Sequence, residues 1–240
     1  MDMARSLPAA NFCQACTVRN RAICADLDDE EINLLNAIGR RKTLQPGEQL
    51  LWEGDEAVLV ANVIDGVLKL STSTGDGKEQ ILGVVYQSDF LGRPFGQTTP
   101  YGVEALTEAQ VCVFQRSDFD RFAREHPRLE HKLLERTLSE LDRTRRWMLL
   151  LGRMNAEQKL ASFLIETADR LAPAGRSGAD GSVSRVELPL SRQQIADVLG
   201  LTIETVSRQF TRMRKDGIIA IAGRRDITIL DRVALQERAG

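Results

Sequence analysis

The chain has 240 residues, 42% hydrophobic and 28% charged, an ordinary globular balance that excludes wholesale disorder, a collagen-like repeat and a disulfide-dense scaffold. Its net charge of −2 hides a polarity: residues 185–225 carry eight basic and four acidic side chains, leaving −6 on the remainder, so one basic face can meet a polyanion. No apolar run approaches the ~20 residues that span a bilayer, and the start lacks the ~7–15-residue apolar core of an export signal, so a cytoplasmic chain with reduced thiols and no membrane partner is expected.

Residues 1–26 hold three of the four cysteines, Cys13, Cys16 and Cys24. The fourth, Cys112, falls on an expected late strand. Three clustered thiols and one remote thiol make a poor disulfide framework and a good metal-ligand set. A tetrathiolate can hold zinc or an iron–sulfur cluster, and spacing does not separate the two. Taken alone, Cys112 also reads as a small buried hydrophobe.

The acidic run Asp28, Asp29, Glu30, Glu31 suits the positive end of a helix dipole and predicts a helix over 30–40. Across 27–120, turn signals at Gly47, Gly54-Asp55, Asp65-Gly66, Gly75-Asp76-Gly77 and Ser88-Asp89 predict short strands of an antiparallel β-roll, jelly-roll-like in form. Within it VLKLSTS alternates, placing Val67, Lys69 and Ser71 on one face and Leu68, Leu70 and Thr72 on the other.

From about residue 117 the period changes from 2 to 3.6. A long helix is predicted over 129–151, within a dimerisation segment 121–153. Leu134, Leu138, Leu141, Arg145 and Met148 follow 4-3-4-3 spacing along one seam. The charged flanks Glu135, Arg136, Glu140, Asp142, Arg143 and Arg146 favour a two-helix homodimer seam over packing on a neighbouring domain. A helix over 156–171 follows, and then APAGRSGADGSVS, a stretch without periodicity that reads as a mobile loop.

Residues 154–240 carry the strongest motif. Ser191 and Gln194 form a capping box, the helix runs to Leu199, Gly200 allows a tight turn, and Thr202 caps a second helix through Lys215. Glu204, Ser207 and Arg208 lie on the exposed face of that second helix, with Arg212 and Lys215 farther along. Arg pairs with guanine, Glu accepts from cytosine, and Ser reaches a base or a phosphate, so this is a base-reading face for double-stranded DNA. The hairpin IIAIAGRRDITIL reads as a wing that offers Arg224 and Arg225 to phosphates.

An N-terminal cysteine cluster, a glycine-punctuated β-roll, a cysteine in LTEAQVCVF, a long helix followed by NAEQKLASFL, and ETVSR on the second helix of the turn motif resemble the FNR proteins of the Crp/Fnr family of bacterial transcription regulators. The similarity runs from Cys13 to Leu230. It implies an α+β chain with a cyclic-nucleotide-binding-type β-roll, a dimerisation helix and a C-terminal winged helix-turn-helix. It also implies that Cys13, Cys16, Cys24 and Cys112 ligate an oxygen-labile [4Fe-4S] cluster, and that Glu204, Ser207 and Arg208 read TTGAT-like half-sites of a palindrome. The resemblance further implies that an intact cluster promotes dimerisation, and that oxygen converts or destroys the cluster and so releases DNA. The loop Thr74 to Gln80 resembles an activating-region loop, which implies contact with RNA polymerase. The gap from Cys16 to Cys24 is longer than in the best-known member, and the family's acidic residue one turn after the central seam position falls near Thr144.

Cyclic-nucleotide members of the family carry Gly-Glu followed by Arg-Ser. This chain has Gly92-Arg93 and no such Arg-Ser, so no cyclic nucleotide is expected. His126 and His131 read as surface residues rather than haem ligands. Without a nucleophile–base pair or a phosphate-cradling loop, no enzyme is expected. The alternative reading is a regulator of the same type whose four cysteines hold structural zinc or form a redox-active thiol site.

Overall fold

The computed structural model describes residues 12–73, 75, 77, 79–172 and 184–240. The stretch expected to be a mobile loop falls almost wholly outside them, as does part of the expected polymerase-contact loop. Among the described residues, no helix is long and apolar enough to cross a membrane.

Helix α1, Asp29–Ile38, starts at the acidic run because Asp28 caps it in a reciprocal box with Glu31. It stops two residues short of the expected end. Gly39 is extended and opens β1, Gly39–Leu44, where a Cβ would lie 2.8 Å from the Phe114 ring. The strands β2 Gln49–Leu51, β3 Leu59–Asp65, β4 Leu68–Ser73, β5 Glu79–Val85, β6 Phe90–Gly92, β7 Gly102–Ala105 and β8 Ala109–Gln115 complete two antiparallel sheets, ordered β1-β8-β3-β6 and β2-β7-β4-β5. The turn between β3 and β4 needs Gly66: its φ is +85°, and a Cβ there would come within 2.4 Å of the Glu108 carbonyl oxygen.

Alternation sorts the first sheet into two faces. Ala61, Val63 and Val111 point into the roll with Leu68, Leu91 and Val103, while Val60, Ile64, Cys112 and Phe114 point outward into a second apolar cluster. In β4 the expected alternation is interrupted by a register shift between Leu70 and Ser71. Both of its faces are covered, and Lys69 is buried in ion pairs with Glu79 at 2.6 Å and Glu104 at 3.2 Å. The covering layer comes from the chain beyond residue 155, because Val67, Ile81 and Tyr86 share one core with Leu160, Phe163 and Val198.

Helix α2, Arg116–Glu125, has no counterpart in the sequence-based expectation and straddles residue 121, where the dimerisation segment was expected to begin. The long helix α3, Pro127–Arg153, opens with Pro127 in its first turn. Helix α4, Ala156–Leu171, is capped by an Asn155–Gln158 box.

The C-terminal unit comprises β9 Ser184–Glu187, α5 Arg192–Leu199, α6 Ile203–Lys215, β10 Ile219–Ile221, β11 Asp226–Ile229 and α7 Arg232–Ala239. The wing hairpin gains β9 as a third strand, in the order β10-β11-β9. The Ser191–Gln194 capping box, left-handed Gly200 at φ +60° and the Thr202 cap all form. Ala196 and Val206 are fully buried between α5 and α6, as the helix-turn-helix requires.

Candidate functional site

The four cysteines converge. The segment ahead of α1 folds into successive turns, in which the Cys16 N–H donates to the Cys13 carbonyl at 3.3 Å and the Arg19 N–H donates to that of Cys16 at 3.2 Å. The turns are anchored by Val18, Ala22, Ile23 and Leu27, all buried. Cys13, Cys16 and Cys24 pack partly buried against the apolar cluster that contains buried Cys112. Two side chains tie the start of the segment to the body. Asn36 accepts from the Cys13 N–H at 3.2 Å. Arg41 donates to the Phe12 carbonyl at 2.8 Å and lies over its ring at 5.4 Å.

The thiols are close enough to act on one another. Burial, reinforced by the neighbouring cysteines, pushes the Cys112 thiol up to about 12 and that of Cys24 up to about 11. Burial and Cys16 also raise Cys13. Arg41 opposes this at Cys13 and Cys112, and Arg19 opposes it at Cys13 and Cys24. Burial thus favours the neutral thiols of Cys13, Cys24 and Cys112, which a bound cationic centre would deprotonate as its ligands. As placed, no three Cys, His, Asp or Glu side chains among the described residues are grouped to hold a single metal ion. Four thiols of this kind could hold either zinc or an iron–sulfur cluster.

The same pocket abuts the long helix. Leu129 of α3 is fully buried in it and Leu133 packs at its edge. Lys132 pairs with Asp26 at 3.0 Å, and Arg128 reaches Asp28 at 3.4 Å and Glu31 at 3.7 Å. Farther along α3 the expected seam stands open: Leu134 is 56% exposed, Leu138 53%, Leu141 42% and Met148 68%. Arg145 interrupts it, paired with Asp142 at 3.3 Å. Of the helix's 27 residues only Leu129 and Leu150 are buried.

On α6, Glu204, Ser207 and Arg208 are exposed. Hydrogen bonds from its own backbone N–H and from the Thr202 hydroxyl hold the Glu204 carboxyl below its usual range, so it stays an acceptor. Arg208 donates to the Thr205 hydroxyl at 3.2 Å, which lays it along the helix face. Arg212 turns back to pair with Glu157 of α4 at 3.3 Å. Arg224 and Arg225 are exposed between β10 and β11. Sequence reasoning did not single out Arg192, which lies over the Phe210 ring at 3.2 Å and joins the two helices of the motif.

His131 is exposed and pairs with Glu135 at 3.3 Å, but His126 is half-buried, stacked on Phe122 with centroids 3.8 Å apart. A cleft of about 1010 Å³ separates the β-roll from α3, and Gly92, Tyr101, Arg143 and Arg170 line it. Both arginines are held by Asp89. Gln80 donates to the Asp197 carbonyl at 3.2 Å and docks β5 on α5.

Residues 41–126 match the cyclic nucleotide-binding domain, and residues 158–238 match the Crp-like helix-turn-helix domain. The chain is 42% identical over 228 residues to the transcriptional activator protein FnrL of Cereibacter sphaeroides, covering 95% of this chain and 92% of that one. It is 39% identical over 214 residues to the nitrogen fixation regulation protein FixK of Bradyrhizobium diazoefficiens, covering 89% and 88%. The structure of FixK2 from Bradyrhizobium japonicum superposes with a TM-score of 0.76 at 30% identity, over 85% of this chain and 98% of that one.

Proposed function

The chain belongs to the Crp/Fnr family of transcription regulators, and from that footing we propose that it is an oxygen-responsive activator, binding TTGAT-like palindromes as a homodimer while Cys13, Cys16, Cys24 and Cys112 hold a [4Fe-4S] cluster. Regulators of this family bind DNA as dimers, and their work is recognition rather than catalysis. The observation that carries the finer reading is the convergence of the three N-terminal cysteines on Cys112 in the pocket that also buries Leu129 of α3.

Bound there, the cluster would supply an oxygen-labile tie between the N-terminal segment and the β-roll. The protein's own part is mechanical. With the segment held, Val18, Ile23 and Leu27 pack with Leu129 and Leu133 and fix the first turns of α3. Lys132 and Arg128 add ion pairs to Asp26, Asp28 and Glu31. The pose of α3 decides whether Leu134, Leu138, Leu141 and Met148 meet their symmetry mates. A coupling of about 1–3 kcal/mol between pocket and seam changes the dimer population severalfold or more. In the dimer, two copies of α6 enter successive major grooves about 34 Å apart. Glu204, Ser207 and Arg208 then read base edges, and Arg224 and Arg225 meet phosphates.

For activation, we propose that RNA polymerase is contacted by the segment Thr74 to Gln80, whose last residue, at the start of β5, docks on α5 of the DNA-binding unit. The cleft along α3 is not read as a cyclic-nucleotide site, because Gly92 is followed by Arg93 and the arginines that line it are held by Asp89. The test is anaerobic purification followed by iron, acid-labile sulfide and zinc analysis, with a gel shift on palindromic DNA before and after air. Equal iron and sulfide, lost in air together with the shifted band, is the expected result. Zinc without iron would establish the structural-zinc alternative and end the oxygen-sensing reading.

A further inference from the structure

Strand β8 lies between β1 and β3, and its Cys112 stands directly opposite Arg41 on one neighbour and Asn62 on the other. Directly opposed residues of antiparallel strands project to the same face, with Cβ atoms about 5 Å apart. Arg41, Cys112 and Asn62 therefore form one row across the sheet, on the face that meets the N-terminal cysteines. Around this row lie Val60, Ile64, Phe90 and Phe114, with Thr43 and Gln110 as the next pair toward the sheet edge.

The two flanking residues differ in one respect. Arg41 is engaged, its guanidinium donating to the Phe12 carbonyl. Asn62 is 3% exposed, and its carboxamide oxygen is buried with no hydrogen-bond partner. A buried carboxamide oxygen without a donor is destabilising, and an aliphatic side chain of the same shape would suit this face better. A half-turn of the amide exchanges its oxygen and nitrogen. The same side chain can thus present either an acceptor or an N–H donor toward Cys112.

We infer that Asn62 is a positioning residue of the thiol site, its amide N–H donating to the Cys112 sulfur and to the centre the four cysteines hold. This rests on the iron–sulfur reading above. Four thiolates concentrate negative charge in an apolar pocket, where a donor aimed at sulfur is most effective. Hydrogen bonds to sulfur favour the more reduced, more negative state and set a cluster's potential. The residue costs stability in the metal-free chain and returns it in the loaded one.

Asn62→Leu separates the two states. Metal-free, the variant should melt higher than the unmodified protein, because the orphaned carboxamide oxygen is gone. Loaded anaerobically, its cluster should have a more negative midpoint potential and disappear severalfold faster in air, followed by visible absorbance. Asn62→Ala repeats the comparison should leucine prevent folding, with the potential as its readout. A loaded variant with unchanged potential and unchanged lifetime would overturn the inference and leave the function standing. Unmodified protein that takes up no iron and sulfide would overturn both.

Discussion

Leu138→Ala probes the long-helix seam at its centre. The substitution removes three carbons that, on full burial, are each worth about 0.8 kcal/mol. Leu138 is 53% exposed in the single chain, so dimer formation covers only the remaining half of its surface and the loss is about 1.2 kcal/mol per protomer. Two-fold symmetry places the same change on both sides. The dimer should weaken by about 2.4 kcal/mol, which is roughly 50-fold in its dissociation constant. Sedimentation equilibrium on the anaerobic protein reads this directly, and circular dichroism should show the monomer's helix content unchanged. Arg136→Ala, at the heptad position farthest from the seam, is the control and should leave the dimer nearly unaltered. If Leu138→Ala dimerises as tightly as the unmodified chain, α3 does not pair through this face, and the link from thiol pocket to DNA is wrong at its middle step.

Arg145→Leu replaces the charge that interrupts the seam; the dimer should tighten and DNA binding should persist in air, which a gel shift after air exposure checks. Arg208→Ala should cost about 1–3 kcal/mol per half-site and relax preference at one base pair, whereas Arg224→Ala should weaken all sequences alike and flatten the salt dependence; footprints on specific and random DNA across a salt series distinguish the two. Lys78→Ala in the loop between β4 and β5 should lower transcription in a purified polymerase assay without lowering DNA affinity, and a parallel fall in both would make the loop merely structural.

What the sequence shows of this chain is mostly local. A cap at Ser191, a left-handed glycine at Gly200 and a second cap at Thr202 specify the helix-turn-helix within a dozen neighbouring residues, because each satisfies backbone groups at a helix end. The seam is legible for the same reason, since periodicity along one helix needs no knowledge of what it faces. Helix α2 was missed because its ten residues directly follow β8, with no side-chain cap at Gln115 to mark the change. The third wing strand was missed because Ser184–Glu187 is four residues long and pairs with a strand some forty positions away. Lys69 reads as a surface lysine until β5 and β7 bring Glu79 and Glu104 beside it. The row Arg41, Cys112, Asn62 depends on the register of three strands distant in sequence, which no local pattern encodes. The cysteine set was visible as a count of thiols. Its closeness to Leu129 of α3 was not.

The claim at the centre of the account is that ligation at Cys13, Cys16, Cys24 and Cys112 controls pairing along α3. Sedimentation of one preparation, first anaerobic and then after air with iron loss confirmed in the same sample, tests it most directly. The account predicts a dimer before air and a mostly monomeric, still folded chain afterwards, with Cys112→Ser monomeric in both. A dimer of unchanged affinity before and after demonstrated iron loss would contradict it.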